Sequence, residues 1–314
     1  MIMLETIAGT LVPVAFVVLL GYVAGHRNVF GPKERAMITR LVLSWLLPPL
    51  LLAGILKTPR ADLLDYKIPL VFLIGLMVPY LVVLLSCRYV FHYDQRAAAL
   101  KASLLSFPDL VFMGIPILGR LFGPASLYPI LIANLVPVLL ILPITSVLLE
   151  LGSNKRRGAP SQVFLTTLAR AMREPRVWLP LIGAALVVLN VRVPQVVIGS
   201  LDLIGNATIG LSLFVVGLII SEEKIQLSRT VTGDVILKNL VHPLVMLATV
   251  LAFGVTGVLA KEAVLLAAIP SAVITTMFAE KYRVLRSESS TAILGSRIVS
   301  FATIPLVFAL TQHL

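Results

Sequence analysis

Charge is what this 314-residue sequence has least of. Asp, Glu, Lys and Arg make up 13% of it, where a soluble domain carries about 25%. Hydrophobic residues make up 58% and the mean hydropathy is +1.00, an excess that no soluble core could bury. The chain therefore reads as a polytopic membrane protein. Acidic residues are the scarcer sign, 15 against 26 Lys and Arg, for a net charge of +11. In a soluble protein that balance would suggest nucleic acid as a partner. In a membrane protein Lys and Arg collect in the cytoplasmic loops, and no nucleic-acid partner is inferred. The single cysteine, Cys87, allows no internal disulfide. The four histidines, His26, His92, His242 and His313, share no metal-like spacing. There is no HExxH, no paired aspartates, no zinc spacing, no phosphate-cradling glycine loop and no nucleophile elbow. These absences argue against an enzyme, a metal site, a cofactor and an ATP-driven pump.

What is present is a series of apolar runs. A helix needs about 20 apolar residues to cross a hydrocarbon core of about 30 Å. Ten segments are read as spans, near 4–24, 37–56, 68–90, 98–119, 126–149, 177–191, 196–220, 235–256, 262–280 and 289–311. The sixth is short, and the fourth and ninth are interrupted. The start, MIMLETIAGTLVPVAFVVLLGYVAG, lacks a basic leader region and carries Glu5. It reads as the first span, not as a signal peptide. Alternate inter-span segments hold nineteen Lys and Arg against six, with Lys101 and Lys238 counted in the richer set. The positive-inside rule then places both termini outside the cytoplasm, in the periplasm or extracellular space of a cell whose inner membrane holds the chain.

The longest polar stretch, residues 152–176, separates a first half, 1–151, from a second, 177–314. Its Lys155–Arg157 run reads as a topology signal, and Gln162–Met172 as an amphipathic interfacial helix. Five spans in each half make the halves enter the membrane in opposite directions. If they are related, the chain is an inverted repeat, an arrangement in which transporters place discontinuous helices at matching positions.

The fourth span reads FPDLVFMGIPILGRLFG, with two prolines, three glycines and an aspartate. Its counterpart, the ninth, reads AIPSAVITTMFAEKY. Proline removes a backbone donor and disfavours helix in the residue before it, so Gly114–Ile115–Pro116 is the expected unwound point. Irregular backbone at membrane depth survives only where protein or a wet cavity surrounds it. Half-helix N-termini there would suit a carboxylate. Asp109 is a functional candidate because a mid-membrane carboxylate is costly. It reads either as a proton-coupling group or as a structural ion-pair partner. Arg297, whose planar fork suits carboxylates, would contact substrate, neutralise Asp109 or snorkel to the interface. Asn134 bonds either substrate or a neighbouring helix. Thr275 and Thr276 are weaker candidates, since threonine can bond its own helix. Asn206, Ser212 and His242–Pro243 read as packing and bending features. Gly21, Gly25, Gly210 and Gly217 read as sites of close helix approach.

These residues resemble the auxin efflux carrier family. The fourth-span stretch is similar to that family's signature with its Gly-Ile-Pro crossover, and IPSAVITTMFAEKY to its ninth span. GYVAGHRNVFGPKERAMITRLVLSWLLPPLLLAGI, IGLSLFVVGLII and RIVSFATIPLVF resemble its first loop and second span, its seventh and its tenth. The likeness covers nearly the whole chain. It implies an all-α fold of ten helices in two inverted five-helix repeats with broken helices 4 and 9. It implies a scaffold of spans 1, 2, 6 and 7, a moving body of spans 3–5 and 8–10, and a homodimer. It implies elevator-like secondary transport of a small organic anion, malonate-like dicarboxylates being the first expectation. The substrate would lie beside Asp109, Gly114, Ile115, Pro116, Asn134, Thr275, Thr276 and Arg297, with proton or potential coupling and Asp109 as the coupling group. Asp109 stands where the family often has Asn, Thr275 where plant members have a second proline, and Arg297 where a small or polar residue is usual. Asp109 and Arg297 are therefore expected to compensate each other. The alternative is a sodium-coupled symporter or cation/proton antiporter with Asp109 as ion ligand. A receptor or purely structural role is the reading from another class.

Overall fold

The computed structural model describes residues 2–152, 159–222 and 228–314, without side chains for residues 2–8. Lys155–Arg157 and Lys224 lie outside the described residues. The fold is all-helical: 86% of the described residues are helical, and they hold no strand beyond one isolated bridge.

Among the described residues, seven helical segments are long and apolar enough to cross a membrane: Gly9–His26, Pro32–Leu56, Lys67–Val90, Pro124–Leu151, Gln195–Glu222, Arg229–Ala252 and Arg286–His313. The other three expected spans are present as shorter pieces. The fourth is cut into Gln95–Ser106 and Leu110–Phe122, and the ninth into Gly257–Ala268 and Ile274–Tyr282. The sixth, Pro175–Val188, has 14 residues, about 21 Å of helix at 1.5 Å per residue. Pro160–Arg173 forms a separate helix with no buried residue, where the polar middle of the chain predicts one.

Proline shapes these helices in two ways. Where a proline follows a tight helical turn, the helix continues through a wider one. Among the described residues, the π turns Val42–Leu46, Leu110–Gly114, Pro137–Ile141 and Leu237–Val241 each end two residues before Pro48, Pro116, Pro143 or Pro243. The wider turn absorbs the clash and the lost donor. Where proline instead drives its predecessor into extended backbone, the helix stops. Phe107 before Pro108 has φ −106° and ψ 99°, and Ile269 before Pro270 has φ −60° and ψ 135°.

The chain forms two compact units. One holds Met1–Tyr66, Leu110–Leu131 and Met172–Glu223; the other holds Lys67–Asp109, Ile132–Ala171 and Lys224–Leu314. In the first, Ile2–His26 packs along Ala207–Glu222, and glycine sets how closely. A Cβ at Gly217 would sit 2.0 Å from the Val18 carbonyl oxygen, and one at Gly21 would sit 2.1 Å from that of Phe214. Gly210 behaves differently: a Cβ there meets nothing within 4 Å. Its place on the far face of the helix corrects the expectation of close approach.

In the second unit, Lys67–Leu85, Gln95–Ser106, Leu142–Leu151, Arg229–Ile236, His242–Ala252, Gly257–Ala268 and Arg286–Leu310 surround the two proline breaks. This core is less apolar than composition suggests. Lys101, Asp109, Asp234, Lys238, Asn239, His242, Glu262 and Arg297 are all buried in it. Lys101 and Lys238 are thus not loop charges. Lys101 Nζ reaches both carboxylate oxygens of Asp234, at 3.0 and 2.7 Å, with Glu288 at 3.8 Å.

Candidate functional site

The site starts from the two prolines. Asp94 caps the helix that leads to the first break, its carboxylate accepting from the Ala97 amide at 2.7 Å. That helix ends at Phe107, and three residues later the chain is helical again. The break therefore lies at Phe107–Asp109, not at Gly114–Ile115–Pro116 as expected. Gly114 has helical φ −61° and ψ −54°, and Pro116 stands in the first turn of Ile115–Phe122. Proline is tolerated there because a first-turn N–H has no partner within the helix.

The two breaks bond to each other. Pro108 and Ser271 form an antiparallel bridge. The Asp109 amide donates to the Pro270 carbonyl at 2.7 Å, and the Ala272 amide donates to the Phe107 carbonyl at 2.9 Å. Two of the amides freed by the interruptions thus each donate to a carbonyl of the opposite break.

Onto this crossing the fold places an ion pair. Arg297 Nη2 donates to Asp109 Oδ2 at 2.7 Å. Arg297 is 1% exposed and Asp109 4%. The compensation expected of these two residues is a direct contact, and Arg297 does not snorkel out. A second guanidinium donor, Nε, is buried without a hydrogen-bond partner among the described residues. A buried N–H left unpaired costs about 1–3 kcal/mol, so the site keeps one directed donor in reserve. A planar guanidinium presents several donors in a fixed fork and can hold Asp109 and a second carboxylate together.

The other candidates fall around this pair unevenly. Thr275, fully buried, donates to the Ala272 carbonyl at 2.8 Å. Thr276 donates to the Val273 carbonyl at 2.7 Å. Both hydroxyl protons are thus used by the turn after the second break. Asn134 is buried, and its carboxamide makes no hydrogen bond to the described residues. Gly114, Ile115 and Pro116 belong by their contacts to the other unit. A cavity of about 190 Å³ in that unit is lined by Leu50, Lys57, Ile115, Ser126, Asp202 and Asn206, and Lys57 pairs there with Asp202. This cavity does not include the Asp109–Arg297 pair.

Sequence reasoning missed two residues beside the second break. Lys238 and His242 lie in the Arg229–Ala252 span, 0% and 2% exposed. Lys238 Nζ is 2.9 Å from His242 Nδ1 and donates to the Ala267 carbonyl at 3.1 Å. The next residue, Asn239, donates to the Ser296 carbonyl at 2.9 Å and accepts from the Ser296 hydroxyl at 2.6 Å. Ser296 immediately precedes Arg297. The available signal was a lysine and a histidine four residues apart in an apolar helix, hence on one face.

Three comparisons bear on this geometry. The family described as membrane transport protein matches residues 6–308. An Escherichia coli (strain K12) protein named uncharacterized transporter YfdV is 26% identical over 306 residues, 97% of each chain. Auxin efflux carrier component 2 of Arabidopsis thaliana is 26% identical over 171 residues, covering 51% of this chain and 26% of that protein.

Proposed function

This chain belongs to the membrane transport protein family, which is that of the auxin efflux carriers, and on that footing we propose that it carries a small organic anion across a bilayer by secondary transport. The observation that supports an anion most directly is Arg297, a fully buried guanidinium with one donor on Asp109 and Nε unspent. A carboxylate taking the free donor would sit beside Asp109 and the broken ends. Asn134, whose carboxamide is uncommitted, supplies a neutral contact. The oxygens of Thr275 and Thr276 can still accept. A dicarboxylate of malonate size is the favoured substrate, on the family resemblance.

Ten helices in two inverted repeats, residues 1–151 and 177–314 joined by 152–176, form the proposed architecture, with helices 4 and 9 as crossover helices. Residues 114–116 would continue the fourth helix beyond its break. The crossing and the Asp109–Arg297 pair lie in a single compact unit, which favours an elevator in which that unit carries the solute. A homodimer in a bacterial inner membrane, with both termini outside the cytoplasm, completes the reading. Energy comes from a proton gradient or the membrane potential. The contact with Arg297 counts against the cation alternative, because a sodium ion on Asp109 would have to displace a guanidinium.

Ligand-induced thermal stabilisation of the purified protein tests the site. Malonate, succinate, acetate and sodium chloride are compared for wild type and Arg297→Gln. Stabilisation by a carboxylate that disappears in Arg297→Gln is the expected result. Stabilisation by sodium alone, unchanged in the variant, overturns it.

A further inference from the structure

Lys238 is a buried cation that, unlike Lys101 and Arg297, makes no ion pair among the described residues. Its ammonium is wholly enclosed, and among the described residues no carboxylate lies within ion-pair distance of it. The charged and titratable groups on the helices packed against it have other partners. Asp234, on the same span, and Glu288 of Arg286–Leu310 face Lys101. Arg297 holds Asp109. Lys261 of Gly257–Ala268 donates to the Gln312 carbonyl, and Glu262 of that helix has a partner of its own. Tyr80 of Lys67–Leu85 is bonded to Thr145 at 3.0 Å. What faces Lys238 is His242 Nδ1 and the Ala267 carbonyl, and the other imidazole nitrogen, Nε2, is buried without a hydrogen-bond partner among the described residues.

A 2.9 Å contact between two nitrogens needs one donor and one acceptor, so ammonium and imidazolium cannot both be present. The pair holds one excess proton or none. An enclosed ammonium without a carboxylate is costly, and loss of one proton removes that cost. The bond to Ala267 gives the proton a mechanical consequence. Ala267 lies in the last turn of Gly257–Ala268, whose carbonyls are orphaned by the break at Pro270 and carry the helix's partial negative charge. An ammonium caps that end strongly, and a neutral amine weakly. Three residues on, the Pro270 carbonyl holds the Asp109 amide. From the other side, Asn239 holds Ser296 next to Arg297. Lys238 thus bonds the helix that leads into the second break, and its neighbour Asn239 bonds the residue that precedes Arg297.

We propose that Lys238 and His242 form a proton-binding site that couples proton movement to the anion site through the Ala267–Pro270 and Asn239–Ser296 links. The loading step is simple: a proton adds to the Lys238 amine, and the resulting ammonium donates to His242 Nδ1 and the Ala267 carbonyl. Asp109, expected from sequence to be the coupling group, then serves as the counter-ion of Arg297.

The coupling half of this inference rests on the transport reading; the proton site itself does not. Histidine labelled with ¹⁵N gives four imidazoles in the full chain, and His242→Gln assigns the one of interest. Between pH 5.5 and 9.5 the His242 Nδ1 signal should shift in one transition, and Lys238→Met should move its midpoint by at least one pH unit. A signal constant over that range, or a midpoint unmoved in Lys238→Met, overturns the site. The second arm compares malonate uptake driven by a pH gradient with malonate counterflow in proteoliposomes. In His242→Gln the ratio of driven uptake to counterflow should fall at least tenfold, and an unchanged ratio overturns the coupling. Wild type that moves no malonate in either mode removes the malonate transport reading and the coupling built on it, while the titration still decides the proton site.

Discussion

Removing either partner of the Asp109–Arg297 pair is the sharpest single perturbation of this fold. Arg297→Gln leaves a carboxylate that is 4% exposed without the guanidinium now 2.7 Å away, and Asp109→Asn leaves a guanidinium that is 1% exposed. Breaking a buried ion pair from one side costs about 3–5 kcal/mol, because the remaining charge keeps its burial and loses its partner. Removing both charges leaves two polar side chains able to bond each other. The double variant should therefore be at least about 2 kcal/mol more stable than the sum of the single losses. Exchanging the charges, Asp109→Arg with Arg297→Asp, should also retain more stability and more transport than either single neutralisation. Cys87, the sole thiol, is 7% exposed and serves as the native reporter. A thiol dye reaches it when the structure opens, and a loss of about 3 kcal/mol raises the open population by about 150-fold. Labelling follows that population when reclosing outpaces the dye, and loss of helical circular dichroism provides the parallel readout. Additivity of the two single effects within about 0.5 kcal/mol, or equal loss of transport in the charge exchange and both single neutralisations, would refute the reasoning.

Five further variants probe the packing and the site. Asp234→Asn should destabilise the fold by about 3–5 kcal/mol in the same labelling assay, because Lys101 is left enclosed. Gly217→Ala should lower the melting temperature markedly, since its Cβ would meet backbone at 2.0 Å; Gly210→Ala, with open space, should gain about 0.5–1 kcal/mol. Thr275→Val should change the apparent affinity for malonate less than threefold, because its hydroxyl proton already serves Ala272. Asn134→Ala, which removes an uncommitted carboxamide, should weaken that affinity at least tenfold.

Much of this molecule was legible in its sequence because a bilayer leaves few options. Apolar length marks helices without reference to packing, and every expected span has a helical counterpart among the described residues. The break in the fourth span was legible in kind and misplaced by seven residues. Pro108 and Pro116 look alike in a string, but only Pro108 drives its predecessor into extended backbone, while a π turn carries the helix up to Pro116. The Asp109–Arg297 contact was legible as a charge compensation between two opposite charges within apolar spans. Lys101 and Lys238 were not, because a charge near the edge of an apolar run is indistinguishable from a loop charge until the neighbouring helices enclose it. Gly210 failed for the same reason, since the side of the helix it faces depends on partners far away in the chain.

The most direct test of the central claim is radiolabelled malonate uptake into proteoliposomes, with an imposed pH gradient and separately with a potassium-diffusion potential, for wild type, Asp109→Asn and Arg297→Gln. Saturable wild-type uptake that falls at least tenfold in Arg297→Gln is the predicted result. Uptake equal in wild type and Arg297→Gln under both gradients would contradict the assignment of the buried pair as the anion site.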